Sequence, residues 1–596
     1  MSIFLPFNPH FPRFFSSMIE IAYLRRRYKN GLMIEKFLEK TTFGSMRDFL
    51  DNYRLHVPDN FNFAYDVMDS WAEEAPESLA LLWTDDKGEC RRFTFSDMKD
   101  LSDRAASYYQ TLGIGKGDMV MLILGRRWEF WVTMLALNKI GAVAIPATHL
   151  LTCHDIVYRI EKARIKAIVC AGDPYILGNV SKAAGMCGGE SGPVKALVSV
   201  GPEIPEGFHD LHREWTSAPA FERPLDIGTN DDIMLMYFTS GTSGDPKMVA
   251  HDMTYPLGHL ATGAFWHNLH PGSLHLTIAD TGWAKAAWGK LYGQWLAGAA
   301  LFVYDHVKFK AEDILELIGK YRVTSLCAPP TVFRFLIQED LERYDLSSLE
   351  YLCTAGEALN SVVYDTMLEK TGLKIHEGYG QTESTLLMGT FPWMEPKPGS
   401  MGVPSPQYDI CLLKPDGTPA GTLEIGEVCV NVRSGKPCGL FKGYLGDPER
   451  TARVWHDGWY HTCDLAWKDV DGYFWFVGRN DDIIKTSGYR VSPFEVESVL
   501  MMHPAVVECA VTGVPDPLRG FVVKATVVLA NEYKAKAGPD LVKEIQTFVK
   551  KTTAPYKYPR VIEFVEELPK TISGKIRRIE IRDKDCQAVK VTSRPS

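Results

Sequence analysis

An apolar run from Ile233 to Phe238 is followed at once by Thr239-Ser240-Gly241-Thr242-Ser243-Gly244-Asp245-Pro246-Lys247. The two glycines let backbone N–H groups close around an anion, the hydroxyls of Thr239, Ser240 and Thr242 add donors, and Lys247 adds a positive charge, a set suited to a polyphosphate. The spacing is not GxxxxGK[ST], so the P-loop kinase and ATPase template does not transfer. Far downstream stand further groups able to serve a phosphate chemistry: Thr382 and Glu383, Asp464, Arg479, and Lys575 in the C-terminal loop. Taken singly they read blandly. Glu383 is a surface or capping carboxylate, Asp464 a turn residue, Arg479 a surface cation, and Lys575 part of a basic tail with Arg577 and Arg578.

Groups so far apart need a framework to meet. Val120 to Leu124 reads as a buried strand, Trp128 to Ile140 as a helix, and Val143 to Pro146 as extended again. β-rich runs recur at Val194 to Val200, Ile233 to Phe238, Thr324 to Ala328 and Leu349 to Thr354, separated by helical stretches such as Ala311 to Tyr321. This alternation predicts an α/β body with buried, largely parallel sheets. After Arg479 the texture changes: a capping box with Pro at the first helical position (Ser492-Pro493-Phe494-Glu495) opens a helix to about Met502. Strands near Val506 to Thr512 and Phe521 to Leu529, a helix near Leu541 to Lys550 and a strand near Arg560 to Val565 complete a small α+β unit.

The 596 residues, 45% hydrophobic and 23% charged, support a real core. A net charge of −9 argues against nucleic acid or an anionic membrane as the main partner. Basic residues interrupt the best apolar stretch, Val120 to Pro146, so no transmembrane segment is expected. The 12 cysteines form no CxxC pair and read as reduced, buried thiols of a cytoplasmic protein. The aromatic, basic N-terminus lacks the apolar core and cleavage site of a secretory signal. Gly113-Ile114-Gly115-Lys116-Gly117 precedes a strand, which is wrong for a dinucleotide fingerprint, and Asp469-Val470-Asp471-Gly472 reads as a hairpin turn rather than a calcium loop.

Six segments stand in a fixed order: TSGTSGDPK, TAGEAL (354–359), EGYGQTES (377–384), GWYHTCD (458–464), GRNDDIIKTSGYR (478–490) and PKTISGKIRR (569–578). In them the chain resembles the adenylate-forming superfamily, most closely its AMP-forming medium-chain or branched-chain acyl-CoA synthetases. The resemblance spans roughly residues 60–585 and implies acid + ATP + CoA → acyl-CoA + AMP + pyrophosphate, with Mg²⁺. It further implies an N-terminal extension (1–59) of unknown role, a large AMP-binding domain (60–480), a small mobile C-terminal domain (481–585) and a tail (586–596).

By that resemblance Thr239, Ser240, Gly241, Thr242, Ser243, Gly244 and Lys247 hold the triphosphate. Gly356, Glu357 and Ala358, with Glu377, Gly378, Tyr379, Gly380 and Gln381, surround the nucleotide. Thr382 touches the α-phosphate, Glu383 holds Mg²⁺, and Asp464 and Arg479 bind the ribose. Lys575 reaches both the substrate carboxylate and the nucleotide in the first half-reaction. Asp481 is the hinge, and a face with Lys485, Gly488, Tyr489 and Arg490 serves CoA in the second step; for Lys485 a solvated strand lysine is the competing reading. The chemistry explains the residue types: a carboxylate attacks a phosphate ester, and two unit charges 4 Å apart repel by roughly 4 kcal/mol at an effective dielectric near 20, so placed cations do the catalytic work.

Two positions depart from the family pattern. Cys463 replaces the usual glycine before Asp464, and a positive φ there would strain a side chain. Ser243 replaces a commoner Thr and keeps the hydroxyl. For the acyl pocket, Trp283, Lys285, Trp288 and Gly380 are the candidates. Gly380 stands where acetate-specific relatives carry tryptophan, which implies a pocket for short to medium, branched or aryl acids. If Lys285 and Trp288 point elsewhere they are a snorkelling lysine and a packed aromatic. Transfer to a carrier protein, a light-emitting monooxygenase and a catalytically silent nucleotide-binding protein are the alternatives, and a homodimer is left open.

Overall fold

The computed structural model describes residues 33–239, 245–480, 482–486, 489–516, 519–570 and 576–592. Ser240, Gly241, Thr242, Ser243, Gly244, Asp481, Gly488 and Lys575, and the side chain of Arg490, lie outside the described residues.

Two sheets build the large body. In the first, the strands Ile233–Thr239, Val143–Pro146, Met119–Ile123, Ala167–Ala171 and Ala196–Val200 run parallel in that spatial order. Their buried positions are nearly continuous, as expected for strands covered on both faces. In the second, Ile375–Tyr379, Tyr351–Ala355, Ser325–Cys327, Leu274–Thr277, Ala300–Asp305 and Leu79–Asp85 form the parallel centre. This sheet continues through Met388–Gly389 and Ser400–Pro404 into an antiparallel extension made of Phe474–Arg479, Trp459–Lys468, Ile425–Asn431 and Ile410–Leu413. Asp469 to Gly472 forms the hairpin turn expected of it, and Lys397 donates to Asp469 and Asp471 at 2.7 Å each.

The basic interruption of the apolar stretch proves structural. Helix Glu129–Lys139 is buried along its whole length, and Lys139, fully buried, pairs with Asp69 (2.8 Å) and Asp103 (2.5 Å). A buried ammonium is tolerated because both partners are carboxylates from packed helical segments. No helix among the described residues is long and apolar enough to cross a membrane. Residues 33–59 are integrated with the body: Phe43 and Phe49 pack on Phe265 and Trp393, with ring centroids 4.8–6.4 Å apart across the cluster.

The C-terminal part holds a three-stranded sheet, Val506–Asp516, Gly520–Leu529 and Val561–Val565, under helices Pro493–Leu500 and Pro539–Thr552. Ser492 caps the first helix by accepting from the Glu495 N–H (3.1 Å), but the Glu495 carboxylate pairs with Lys557 instead of closing the box. Among the described cysteines five are buried, five half-buried and Cys90 exposed, so the expectation of uniformly buried thiols holds only in part.

Candidate active site

The site lies where the C-terminal ends of the parallel strands meet the antiparallel extension. Thr239 ends its strand opposite Lys247, the first residue of the antiparallel strand Lys247–Asp252, so the phosphate-loop segment is the connection of a hairpin. Lys247 sits with its Nζ 4.9 Å from the centre of the Tyr444 ring. Burial holds its pKa below the ordinary lysine value, with Glu383 opposing that shift and Arg479 and Arg450 adding to it. Several positive groups thus converge beside one carboxylate, a potential suited to a polyanion.

Glu383 is oriented by Tyr444, whose hydroxyl donates to Oε1 at 2.9 Å. A carboxylate so fixed next to the phosphate hairpin has the hard oxygen donors Mg²⁺ prefers, so the residue present fits that ion. The preceding Thr382 carbonyl accepts from His251 Nε2 at 2.9 Å, and burial lowers the His251 pKa to about 3, which keeps the imidazole neutral.

Asp464 lies opposite Arg479 in the antiparallel pair Trp459–Lys468 and Phe474–Arg479. Its Oδ2 accepts from the Tyr379 hydroxyl (2.5 Å) and from Gln381 Nε2 (2.6 Å), while Gln381 Oε1 accepts from Tyr460 (2.7 Å). Gln381 also donates to the Thr462 carbonyl (2.9 Å). The strand end at Tyr379 and the hairpin at Asp464 are thereby locked together. Cys463 does adopt φ 61°, the left-handed conformation. Its N–H is held by Glu427 Oε1 at 2.9 Å, so the turn keeps Asp464 in place despite the side chain.

Glu377 is buried and binds backbone. Its two oxygens accept from the N–H groups of Leu359 (2.9 Å) and Gly399 (2.6 Å), and burial pushes its carboxyl up to about 8. It fixes the segment carrying Gly356, Glu357 and Ala358. Gly356 has φ 106°, open only to glycine without strain, and Glu357 is exposed, 3.8 Å from Arg334. Gly378 packs so closely on Trp266 that a Cβ there would come within 2.6 Å of the indole.

The short helix Ala284–Gly289 brings two acyl-pocket candidates inward. Lys285 Nζ donates to the Ala355 carbonyl at 2.6 Å, beside Gly356, and burial lowers its pKa. Trp288 abuts Gly380: a Cβ on Gly380 would lie 2.2 Å from the indole edge. Trp283 stands half-buried at the start of the helix. On the C-terminal side, Lys485 is exposed on the strand Ile484–Thr486, opposite Arg490, and Tyr489 stacks on Tyr556 at 4.2 Å.

Sequence reasoning missed Tyr444, Tyr460 and His251. Tyr444 reaches the site because Gly443–Tyr444 pairs with Lys247–Asp252, a non-local pairing that no spacing signals.

Fold and site together define a nucleotide-handling enzyme with a large α/β body and a small α+β module. The AMP-binding enzyme model matches residues 68–445, and the model of the AMP-binding enzyme C-terminal domain matches 495–575. A mitochondrial acyl-coenzyme A synthetase of Mus musculus, ACSM3, is 41% identical over 550 residues, covering 91% of this chain and 94% of its own. The structure of the anthranilate CoA ligase AuaEII in complex with anthranoyl-AMP superposes with TM-score 0.80 at 28% identity, covering 89% of this chain and 99% of that one. A benzoate CoA ligase from Burkholderia xenovorans LB400 gives TM-score 0.74 at 25% identity, over 88% and 100%. The chain therefore belongs to the AMP-binding enzyme family, among its acyl-CoA synthetases.

Proposed function

We propose that this acyl-CoA synthetase activates a short- to medium-chain, branched or aryl carboxylic acid with ATP and transfers the acyl group to CoA. The observation that carries the reading is the convergence of Lys247, Glu383, Asp464 and Arg479 at the strand ends. In the first step the acid's carboxylate attacks the α-phosphorus, pyrophosphate leaves, and an acyl-adenylate forms. Lys247 and the hydroxyls from Thr239 to Ser243 neutralise the departing pyrophosphate, Asp464 and Arg479 hold the ribose, and Lys575 brings the two anions together. Glu383 would hold Mg²⁺, which would supply charge neutralisation on the phosphates. In the second step the CoA thiol displaces AMP at the carbonyl, with Asp481 as hinge and the Lys485, Gly488, Tyr489 and Arg490 face beside the thiol path.

The acid's class is read from Trp288 against Gly380: the indole occupies the space a residue-380 side chain would fill, which supports an acyl site with Trp288 as a flat aromatic wall. The named benzoate and anthranilate ligases support an aryl acid. Pyrophosphate release is to be measured over acetate, 2-methylbutyrate, octanoate, benzoate and palmitate, with and without CoA. The reading expects 2-methylbutyrate, octanoate or benzoate to lead and acyl-CoA to form. A clear preference for acetate or palmitate overturns the pocket, and acid-dependent pyrophosphate release without acyl-CoA favours transfer to a carrier protein. Trp288→Ala should shift the octanoate-to-benzoate ratio of kcat/KM upward by roughly 10-fold, the size of one or two pocket methylenes.

For location we favour the mitochondrion over the cytoplasm. The relatives' names carry that word, and residues 1–30 hold five Arg or Lys against a single acid, Glu20.

A further inference from the structure

Behind the Asp464 hairpin, three adjacent strands present a row of side chains on one sheet face: Cys411 opposite Cys429, and Cys429 opposite His461. Glu427, two residues before Cys429 on the same strand, completes a cluster in which one ligand atom from each of Glu427, Cys429 and His461 lies within 4.8 Å of the others. We propose that Glu427, Cys429 and His461 form a zinc-binding site, separate from the magnesium carboxylate and coupled to the ribose-binding turn.

The distances carry the proposal. His461 Nδ1 is 3.2 Å from Glu427 Oε2 and 3.4 Å from Cys429 Sγ. A tetrahedral zinc with bonds of about 2.1 Å to nitrogen and oxygen and 2.3 Å to sulfur requires ligand separations of roughly 3.4 and 3.6 Å. The two separations from His461 Nδ1 are within about 0.2 Å of those edges, and the third, between Glu427 and Cys429, lies within 4.8 Å. Thiolate, imidazole and carboxylate together select zinc over magnesium or calcium, which take oxygen ligands. Three protein ligands leave a fourth position for water, the open form of a zinc site.

The surroundings suit an entering ion. Cys429 is buried, whereas the His461 and Glu427 side chains keep 14% and 21% of their surface, which gives a path in from solvent. The His456 ring stacks on His461 at 3.9 Å and covers one face of it. Glu427 Oε1 is already oriented by the Cys463 N–H, leaving Oε2 aimed at the cluster, an outer contact of the kind that positions a metal ligand. Burial pushes the Cys429 thiol up, so the metal ion itself must supply the charge that retains a thiolate there, and binding releases a proton. Through Glu427 and Cys463 an occupied site would fix the turn that ends at Asp464. This second consequence rests on the ribose assignment of Asp464, while the metal site does not.

The test uses the full chain and Co²⁺ as a spectroscopic stand-in for zinc. One Co²⁺ per chain should bind with a thiolate-to-cobalt charge-transfer band that Zn²⁺ abolishes by competition. Cys429→Ser should lose the band, and Glu427→Gln, which keeps an acceptor for the Cys463 N–H, should weaken Co²⁺ binding by 10-fold or more. Absence of the band in the wild type, or its survival unchanged in Cys429→Ser, overturns the site. Should Cys429→Ser fail to fold by circular dichroism, unchanged affinity in Glu427→Gln does so instead. The coupling is read separately: stoichiometric Zn²⁺ should lower the KM for ATP in the wild type and not in Cys429→Ser. An equal response in both overturns the coupling alone.

Discussion

The two modules hold their chemistry in opposite ways. In the large body the walls of the proposed nucleotide site are cross-linked by neutral donors: Tyr379, Gln381 and Tyr460 converge on or through Asp464. In the C-terminal module Lys485 is exposed and Tyr489 keeps 51% of its surface, while charge pairs brace the frame behind them. Arg578 donates to Glu497 at 2.6 Å, Glu497 also accepts from the Val511 N–H at 2.7 Å, and Lys524 joins Asp585 and Glu563 at 2.6 Å each. The body's hydrogen-bonded walls are preorganised, so their dipoles act without reorganising. The module presents its candidate groups on its surface over a frame braced by ion pairs. At its junction with the body the Phe494 ring edge meets Phe476 at 5.3 Å, and the Ser492 hydroxyl donates to the Val477 carbonyl.

This contrast can be broken at several points. Asp464→Ala removes the proposed ribose ligand and the acceptor of the Tyr379 and Gln381 donors, so kcat/KM for ATP should fall roughly 10²- to 10³-fold with little change in the KM for CoA. An equal loss in both would mean the body's cavity had collapsed. Arg578→Ala leaves the buried Glu497 without its cationic partner and should destabilise the module by about 3 kcal/mol, seen as early loss of hydrogen-exchange protection in 506–529 while the body stays protected.

Acid should act on the body. Burial lowers the pKa of His251 and His275 to about 3 in the fold. The unfolded chain binds protons near pH 6.5, so between 6.5 and about 3 it holds more protons than the native body and stability falls as the pH drops. At pH 5 each histidine should cost about 2 kcal/mol, read from denaturant midpoints at pH 7 and pH 5. The smallest effect concerns the turn: Cys463→Gly relieves the φ 61° strain and should stabilise the body by about 1 kcal/mol with adenylation retained.

What the sequence made legible follows the same division. Buried parallel strands are continuous apolar runs, so Val143–Pro146 and the helix Ala311–Tyr321 stand where the pattern places them. The antiparallel extension was not legible, since strands such as Ile425–Asn431 mix exposed and buried positions around Gly426 and Glu427. Nor was the packing of 33–59, which depends on aromatic contacts with residues more than 200 positions away. At the site the motif residues could be named, but their partners could not. Glu377 spends its carboxylate on two backbone N–H groups, and Tyr444 arrives by a strand pairing with no local signal.

The central claim is that the body alone shapes the nucleotide cavity while the C-terminal module supplies a different tool to each half-reaction. The direct measurement takes Lys575→Ala through both halves: acid-dependent ATP–pyrophosphate exchange, and conversion of synthetic acyl-adenylate plus CoA to acyl-CoA. Exchange should fall roughly 10²- to 10³-fold while thioester formation from the adenylate stays near the wild-type rate. Undiminished exchange, or equal loss of both reactions, would contradict the account.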